Sequence, residues 1–119
     1  MGSHRLDLIY KIVDADLWAK AQAQRRFDGA GIDLADGYIH FSTAAQARET
    51  AARHFADQPN LLLVAVAAAS LGPSLKWEPS RGGDLFPHLY GSLDLAHVVS
   101  VEPLPWEGRR HRFPSGFPA

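Results

Sequence analysis

Between Leu61 and Ala68 the chain reads Leu-Leu-Leu-Val-Ala-Val-Ala-Ala, eight residues without one polar side chain. This stretch is far short of the roughly 20 apolar residues a membrane-spanning helix needs. Gln58-Pro59-Asn60 stops whatever precedes it. A short, continuous apolar run bounded by turn-forming residues is the profile of a central β-strand covered on both faces, because a strand with one wet face alternates. The rest of the chain must therefore supply two covering layers. Its 119 residues suit a single domain, and 46% hydrophobic with 21% charged residues is a globular rather than a disordered composition.

The flanking sequence supplies those layers. Leu6–Val13 is rich in β-formers and reads as a first strand. Asp14 is placed to cap a short helix carrying Leu17, Trp18 and Ala21 on one side. Arg25–Gly31 reads as a loop, Asp36-Gly37 as a turn, and Tyr38–Ser42 as a short aromatic strand. Thr43 with Gln46 three residues on fits a capping box, opening a helix to about Ala56 with Ala44, Ala47, Ala51 and Phe55 facing the core.

After the apolar strand, Leu75–Glu78 reads as extended and Pro79–Asp84 as a loop. Leu85–Tyr90 is extended but contains Pro87, which places it at an edge or in an irregular segment. Ala96–Val101 reads as the last strand. Helices gather early and strands late, so the expected architecture is α+β: two packed, mainly antiparallel sheets with two or three helices. The expected domain spans residues 5–106, and 107–119 reads as a loosely ordered Arg- and Pro-rich tail.

Composition removes whole classes of chemistry. With no cysteine there are no disulfides, thiolate nucleophiles, zinc–thiolate sites or iron–sulfur clusters. Twelve basic against thirteen acidic residues leave a formal charge of -1, which gives no global field for nucleic acid. Met1–Arg5 lacks the basic flank and apolar stretch of a signal peptide, so the expected setting is cytoplasmic, without a membrane partner. A monomer or weak dimer is expected.

What remains is imidazole, carboxylate, hydroxyl and aromatic chemistry, concentrated in two places. The first is Asp36-Gly37-Tyr38-Ile39-His40-Phe41-Ser42-Thr43. Alternation on a strand puts His40 and Ser42 on one face, leading into a capped helix whose terminal amides favour an anion. Two readings stand here: Ser42 and Thr43 as caps alone, or as ligand contacts beside His40. The second place is Lys76-Trp77-Glu78 with Phe86-Pro87-His88-Leu89-Tyr90-Gly91. There Trp77 suits stacking on a planar ligand, and Glu78 and His88 are the acid–base candidates. Trp77 as core, Tyr90 as a buried phenol and Glu78 as half of an ion pair are the competing structural readings.

His40, His88, Glu78 and Asp36 carry metal-ligand chemistry, but no HxH or HExxH spacing supports a site, and no metal is expected. Gly-rich phosphate loops and a GxSxG nucleophile turn are both missing. Arg109-Arg110-His111-Arg112 is the one basic run, and it is either a phosphate contact or simply a solvated surface.

The same residues carry a resemblance. Leu8-Ile9-Tyr10-Lys11-Ile12, Trp18, the Asp36–Thr43 segment, Thr50-Ala51, Leu61-Leu62-Leu63, Lys76-Trp77-Glu78, Phe86–Gly91, Val98 and Pro103-Leu104 follow in order the pattern of a bacterial family. The chain resembles the family catalogued as domain of unknown function 952, itself regarded as a distant relative of the ADP-ribosyltransferase fold. That kinship implies a cleft holding NAD between two small sheets, with Tyr10-Lys11 on the first motif strand and His40–Thr43 on the second. It differs from that fold in having Tyr10-Lys11 where His or Arg is usual, and His88 and Tyr90 where a final-strand Glu would stand.

Residues and resemblance together lead to a small domain binding a nucleotide or phosphorylated small molecule, with NAD as the candidate substrate. His40, Ser42, Thr43, Trp77 and Tyr90 are the expected ligand contacts, and His88 and Glu78 the expected catalytic groups for ribosyl transfer or hydrolysis. The alternative is a noncatalytic ligand-binding or regulatory module of the same fold. Nucleic-acid binding through the basic run ranks last.

Overall fold

The computed structural model describes residues 7–118. Its centre is a four-stranded antiparallel sheet in the order β4-β1-β5-β9, where β1 is Leu8–Asp14, β4 is Ser42–Thr43, β5 is Leu61–Ala67 and β9 is Val98–Pro103. The long β1–β5 pairing runs from Leu8↔Ala67 to Asp14↔Leu61. The apolar run is thus an interior strand, and both its faces are covered. On one side Val64 and Val66 join Ile9, Val13, Trp18, Phe27, Ile39 and Leu89 in one core; on the other Leu61, Leu63 and Ala65 join Tyr10, Ile12, Ala51 and Leu104 in a second.

Two helices end as their caps dictate. Helix α1 (Ala15–Gln24) starts where the Asp14 carboxylate accepts the Asp16 and Leu17 amides, and it buries Trp18 and Ala21. A short helix α2 (Ile32–Asp36) follows in the stretch between the Arg25–Gly31 loop and the Asp36-Gly37 turn, a helix the sequence reading does not contain. Helix α3 (Ala44–His54) opens with the full Thr43/Gln46 capping box, buries Ala47 and lays Ala51 on the second core.

A second, three-stranded antiparallel sheet has the order β3-β7-β6, with β3 at Ile39–His40, β6 at Leu75–Pro79 and β7 at Leu85–Leu89. A two-stranded ribbon pairs β2 (Arg26–Phe27) with β8 (Leu93–Asp94). The domain is α+β with antiparallel sheets, as expected.

Three details differ from the sequence reading. The strand containing Pro87 is the middle of its sheet. Pro87 is tolerated there because its carbonyl accepts the Phe41 amide at 3.0 Å just where β3 leaves the sheet, so the missing N–H would have no strand to meet. The last strand begins two residues late, since Leu95–His97 form a 3-10 turn capped by the Asp94 side chain.

The segment after Trp106 is not a loose tail. His111 is buried and its Nε2 donates to the Gln58 carbonyl at 2.9 Å, Phe113 and Phe117 pack on the second core, and the Phe117 ring meets Tyr10 edge-on at 5.0 Å. The Pro and Arg content masked two aromatic anchors at spacing four. No helix among the described residues is long and apolar enough to cross a membrane.

Candidate functional site

The expected strand Tyr38–Ser42 does not stay in one sheet. Ile39 and His40 pair with Leu89 and His88 in the three-stranded sheet, whereas Ser42 and Thr43 pair with Tyr10 and Ile9 in the four-stranded one. Phe41, buried in the first core, is the crossing point. The crossing cancels the alternation that would have put His40 and Ser42 on one face. Ser42 is buried and its Oγ lies 2.9 Å from Thr50 Oγ1, and Thr43 spends its hydroxyl on the Gln46 amide. Neither joins His40.

His40 and His88 do come together. They are direct cross-strand partners, and their ring centroids are 5.4 Å apart. Tyr38 stacks over His88 at 4.2 Å and lies 4.6 Å from His40 and 5.1 Å from Tyr90. On β6, Lys76 pairs with His88, and Glu78 stands two residues along on the same face. Glu78 Oε1 receives both His88 Nδ1 at 2.7 Å and the Tyr90 hydroxyl at 2.8 Å. Both donors reach one oxygen, which leaves Oε2 without a hydrogen bond among the described residues. These bonds, His88's first and Tyr90's second, hold the Glu78 carboxyl below its ordinary range. The same contact pushes the Tyr90 phenol up.

Trp77 falls elsewhere. It sits opposite Pro87, on the other face of β6 from Glu78, so it cannot stack over this cluster. It lines instead a cavity of about 700 Å³ together with Tyr10, Thr43, Ala44, Leu75 and Ala69. The seven expected site residues are therefore divided: His40, His88, Glu78 and Tyr90 share one face, Thr43 and Trp77 line the 700 Å³ cavity, and Ser42 is buried against α3. The cavity does not reach the imidazole face. The imidazoles and the Glu78 carboxylate lie on the face, whereas the cavity is walled mainly by alanine, leucine and aromatic side chains.

Sequence reasoning missed the group that anchors His40. Asp33, on α2, is 2% exposed, and its carboxylate accepts four hydrogen bonds, with the Lys11 ammonium also against its second oxygen. Oδ1 takes Lys11 Nζ at 3.0 Å, the His40 amide at 3.0 Å and His40 Nδ1 at 2.6 Å; Oδ2 takes the Ala30 amide at 3.0 Å and Lys11 Nζ at 2.8 Å. Burial alone would raise this carboxyl, but the His40 bond, the Lys11 charge and the remaining bonds outweigh it and bring the pKa down to about 2. Lys11 is buried as well; desolvation lowers its pKa against the pull of Asp33. Its ammonium also donates to the His40 carbonyl at 3.1 Å. Gly29 makes room for this arrangement: at φ +112°, a Cβ there would lie 2.9 Å from Asp33 Cβ.

The other His40 nitrogen, Nε2, is 3.0 Å from Asp36 Oδ2, so a carboxylate oxygen faces each ring nitrogen. The burial around Asp33 explains why it was missed. Its neighbours Ile32 and Leu34 are 64% and 66% exposed while the carboxylate is inside, the reverse of what hydrophobic patterning implies. No group of three or more His, Asp or Glu among the described residues is arranged to hold a metal ion.

An α+β domain whose small sheet presents paired carboxylate–histidine units is the class that fold and site define. The profile of the family described as protein of unknown function (DUF952) matches residues 12–101, and the chain belongs to that family. It is similar to protein CC0527 of Caulobacter crescentus, known from an X-ray crystal structure at 49% identity, with a TM-score of 0.86 over 88% of this chain and 93% of that one. A solution NMR structure of CC0527 superposes with a TM-score of 0.78 at 50% identity, covering 87% of this chain and 90% of that one. No curated protein matches the chain.

Proposed function

We propose that the face built from His40, Tyr38, Glu78 and Tyr90 binds the ribosyl portion of a nucleotide-class ligand, NAD being the first candidate, and that Glu78 is its catalytic carboxylate. The observation that carries this reading is the fixing of Glu78 through one oxygen by His88 and Tyr90, with the second oxygen open. A carboxylate about a third exposed and held in this way is suited to positive charge developing at a sugar C1′. In such a cleavage the electron pair of the C1′–N bond leaves with the ring nitrogen, and water closes on C1′ while giving up a proton to a carboxylate.

Local charge favours the same part of the ligand. Lys11 and Lys76 stand against Asp33, Asp36 and Glu78, a balance that suits a ribose or a cationic ring better than a bare phosphate. His88 is buried beneath Tyr38, so it acts as a positioning residue for Glu78. The kinship with the ADP-ribosyltransferase fold supports the substrate class, with one substitution of roles. The first-strand Lys11 is committed to Asp33 and Ser42 to Thr50, so catalysis rests on the strand that carries Glu78.

One observation favours a second reading, a noncatalytic ligand-binding module: this face lies outside the larger cavities. Thermal-shift titration with NAD and ADP-ribose, paired with an assay for nicotinamide release, separates the two. A site saturated at a hundred times its dissociation constant gains about 2.7 kcal/mol. Catalysis requires a shift that His40→Ala abolishes and turnover that Glu78→Gln abolishes while keeping the shift. A shift without turnover in the wild type leaves the binding module. No shift with either ligand overturns both.

A further inference from the structure

On the opposite side of the four-stranded sheet, the basic run of the sequence folds into a second candidate site. The chain turns back after Trp106: the Glu107 amide donates to the Arg110 carbonyl at 2.8 Å, Trp106 and His111 form a β-bridge, and the Arg112 amide donates to the Pro105 carbonyl at 2.8 Å. His111 locks this hairpin in place, with Nε2 on the Gln58 carbonyl and its ring edge-on to Trp106 at 4.9 Å. The flanking arginines are thereby carried on a fixed backbone rather than on a free end.

Between the hairpin and α3 lies a groove of about 530 Å³, within the range of small-ligand sites. Arg48, Arg110 and Arg112 line it, and Glu107 is the one carboxylate in its wall. Glu107 is taken up by Arg112 Nη1 at 2.7 Å. Arg48 and Arg110 make no side-chain hydrogen bond or ion pair with any described residue. Arg48 is nonetheless held in place, its guanidinium carbon 4.8 Å from the Phe113 ring centroid and 5.2 Å from that of Phe117. Stacking on aromatic faces fixes a guanidinium without using its N–H donors.

We propose that this groove is a binding site for the diphosphate group of a small molecule, gripped by Arg48 from α3 and Arg110 from the hairpin. Two guanidinium forks arriving from separate segments match two phosphoryl groups, each fork pairing with a planar set of oxygens, where a single carboxylate would engage only one. The aromatic pair that stacks Arg48 also closes the second core, so the site is built into the fold. None of its lining residues belongs to the imidazole face, and the inference stands whatever that face binds.

The test is calorimetric titration of the full chain with inorganic pyrophosphate, at low and at physiological salt. The expected result is one site per chain, weakened about tenfold (about 1.4 kcal/mol) by Arg48→Gln and likewise by Arg110→Gln. Arg53→Gln, which removes a charge from the same helix outside the groove, is expected to bind like the wild type. Arg110 is exposed and hydrogen-bonds only through its backbone, so Arg110→Gln tests the site without risking the fold. Absence of binding overturns the proposal, as does a loss in Arg53→Gln equal to that in Arg110→Gln, which would mean general surface electrostatics. Single-stranded RNA binding through these arginines more tightly than pyrophosphate would also overturn it, in favour of a nucleic-acid surface.

Discussion

His40 and His88 face one another across β3 and β7 with ring centroids 5.4 Å apart, and each is held at Nδ1 by a different carboxylate, Asp33 at 2.6 Å and Glu78 at 2.7 Å. The two carboxylates differ in kind. Asp33 is sealed inside with Lys11, whereas Glu78 is a third exposed. One half of the pair is therefore closed to solvent and the other is reached by it, and the consequences can be measured separately.

Removing one partner of the buried pair strands the other. Lys11→Met leaves Asp33 without its cation and Asp33→Leu leaves Lys11 without its anion, and each should cost about 3–5 kcal/mol. The double variant Lys11→Met/Asp33→Leu should recover a good part of that loss, because a desolvated pair is replaced by packing. Urea denaturation of the three variants reads the difference. Losses that simply add would mean that the two side chains are not coupled.

Acid should weaken the fold through Asp33. Its carboxyl titrates near 2 in the folded chain and near 3.8 when unperturbed, so the folded state binds this proton less readily. The resulting stabilisation, on the order of 2–3 kcal/mol, is present in full above about pH 4 and is lost as pH falls toward 2. Denaturant midpoints followed between pH 5 and pH 2, roughly the span of the shift, should fall in the wild type. They should fall less in Asp33→Asn, which starts lower.

Glu78→Gln should be visible at Tyr90. The phenol is held up first by its bond to the Glu78 carboxylate, so replacing the charge should bring its titration down toward the ordinary tyrosine range. Tyr38, whose rise comes first from desolvation and only then from Asp36 and Glu78, should move less. NMR titration of the two ring signals distinguishes them. An unmoved Tyr90 would mean that the Tyr90–Glu78 bond does not persist in solution.

Truncation after Trp106 should destabilise the domain. It removes the His111 anchor and the Phe113 and Phe117 rings from the second core, exposing Tyr10. Phe117→Ala alone should cost about 1–3 kcal/mol, less than a fully buried phenylalanine because the ring is only partly covered. A melting temperature unchanged by truncation would return the segment to the status of a tail.

Much of the frame could be read along the chain. The apolar run predicts an interior strand with two covers, Asp14 and the Thr43/Gln46 box predict two helix starts, and four of the expected site residues, His40, His88, Glu78 and Tyr90, share a face. These signals are local: caps, turns and hydrophobic period are written within a few residues of where they act.

The rest depended on which distant segments meet. The crossing at Phe41 separated Ser42 from His40, because the same five residues pair with β7 at one end and β1 at the other. Alternation along β6 separated Trp77 from Glu78. Asp33 is invisible along the chain because its burial depends on partners brought together by the fold, Lys11, 22 residues away, and the ring and backbone of His40, beside the local Ala30 amide. Sequence by itself determined the longer elements and the chemical inventory, though not the short helix α2 or the ribbon strand β2. Only the tertiary structure decided which of those groups share a face, since a buried charge or a strand's change of sheet is stabilised by partners that no local pattern records.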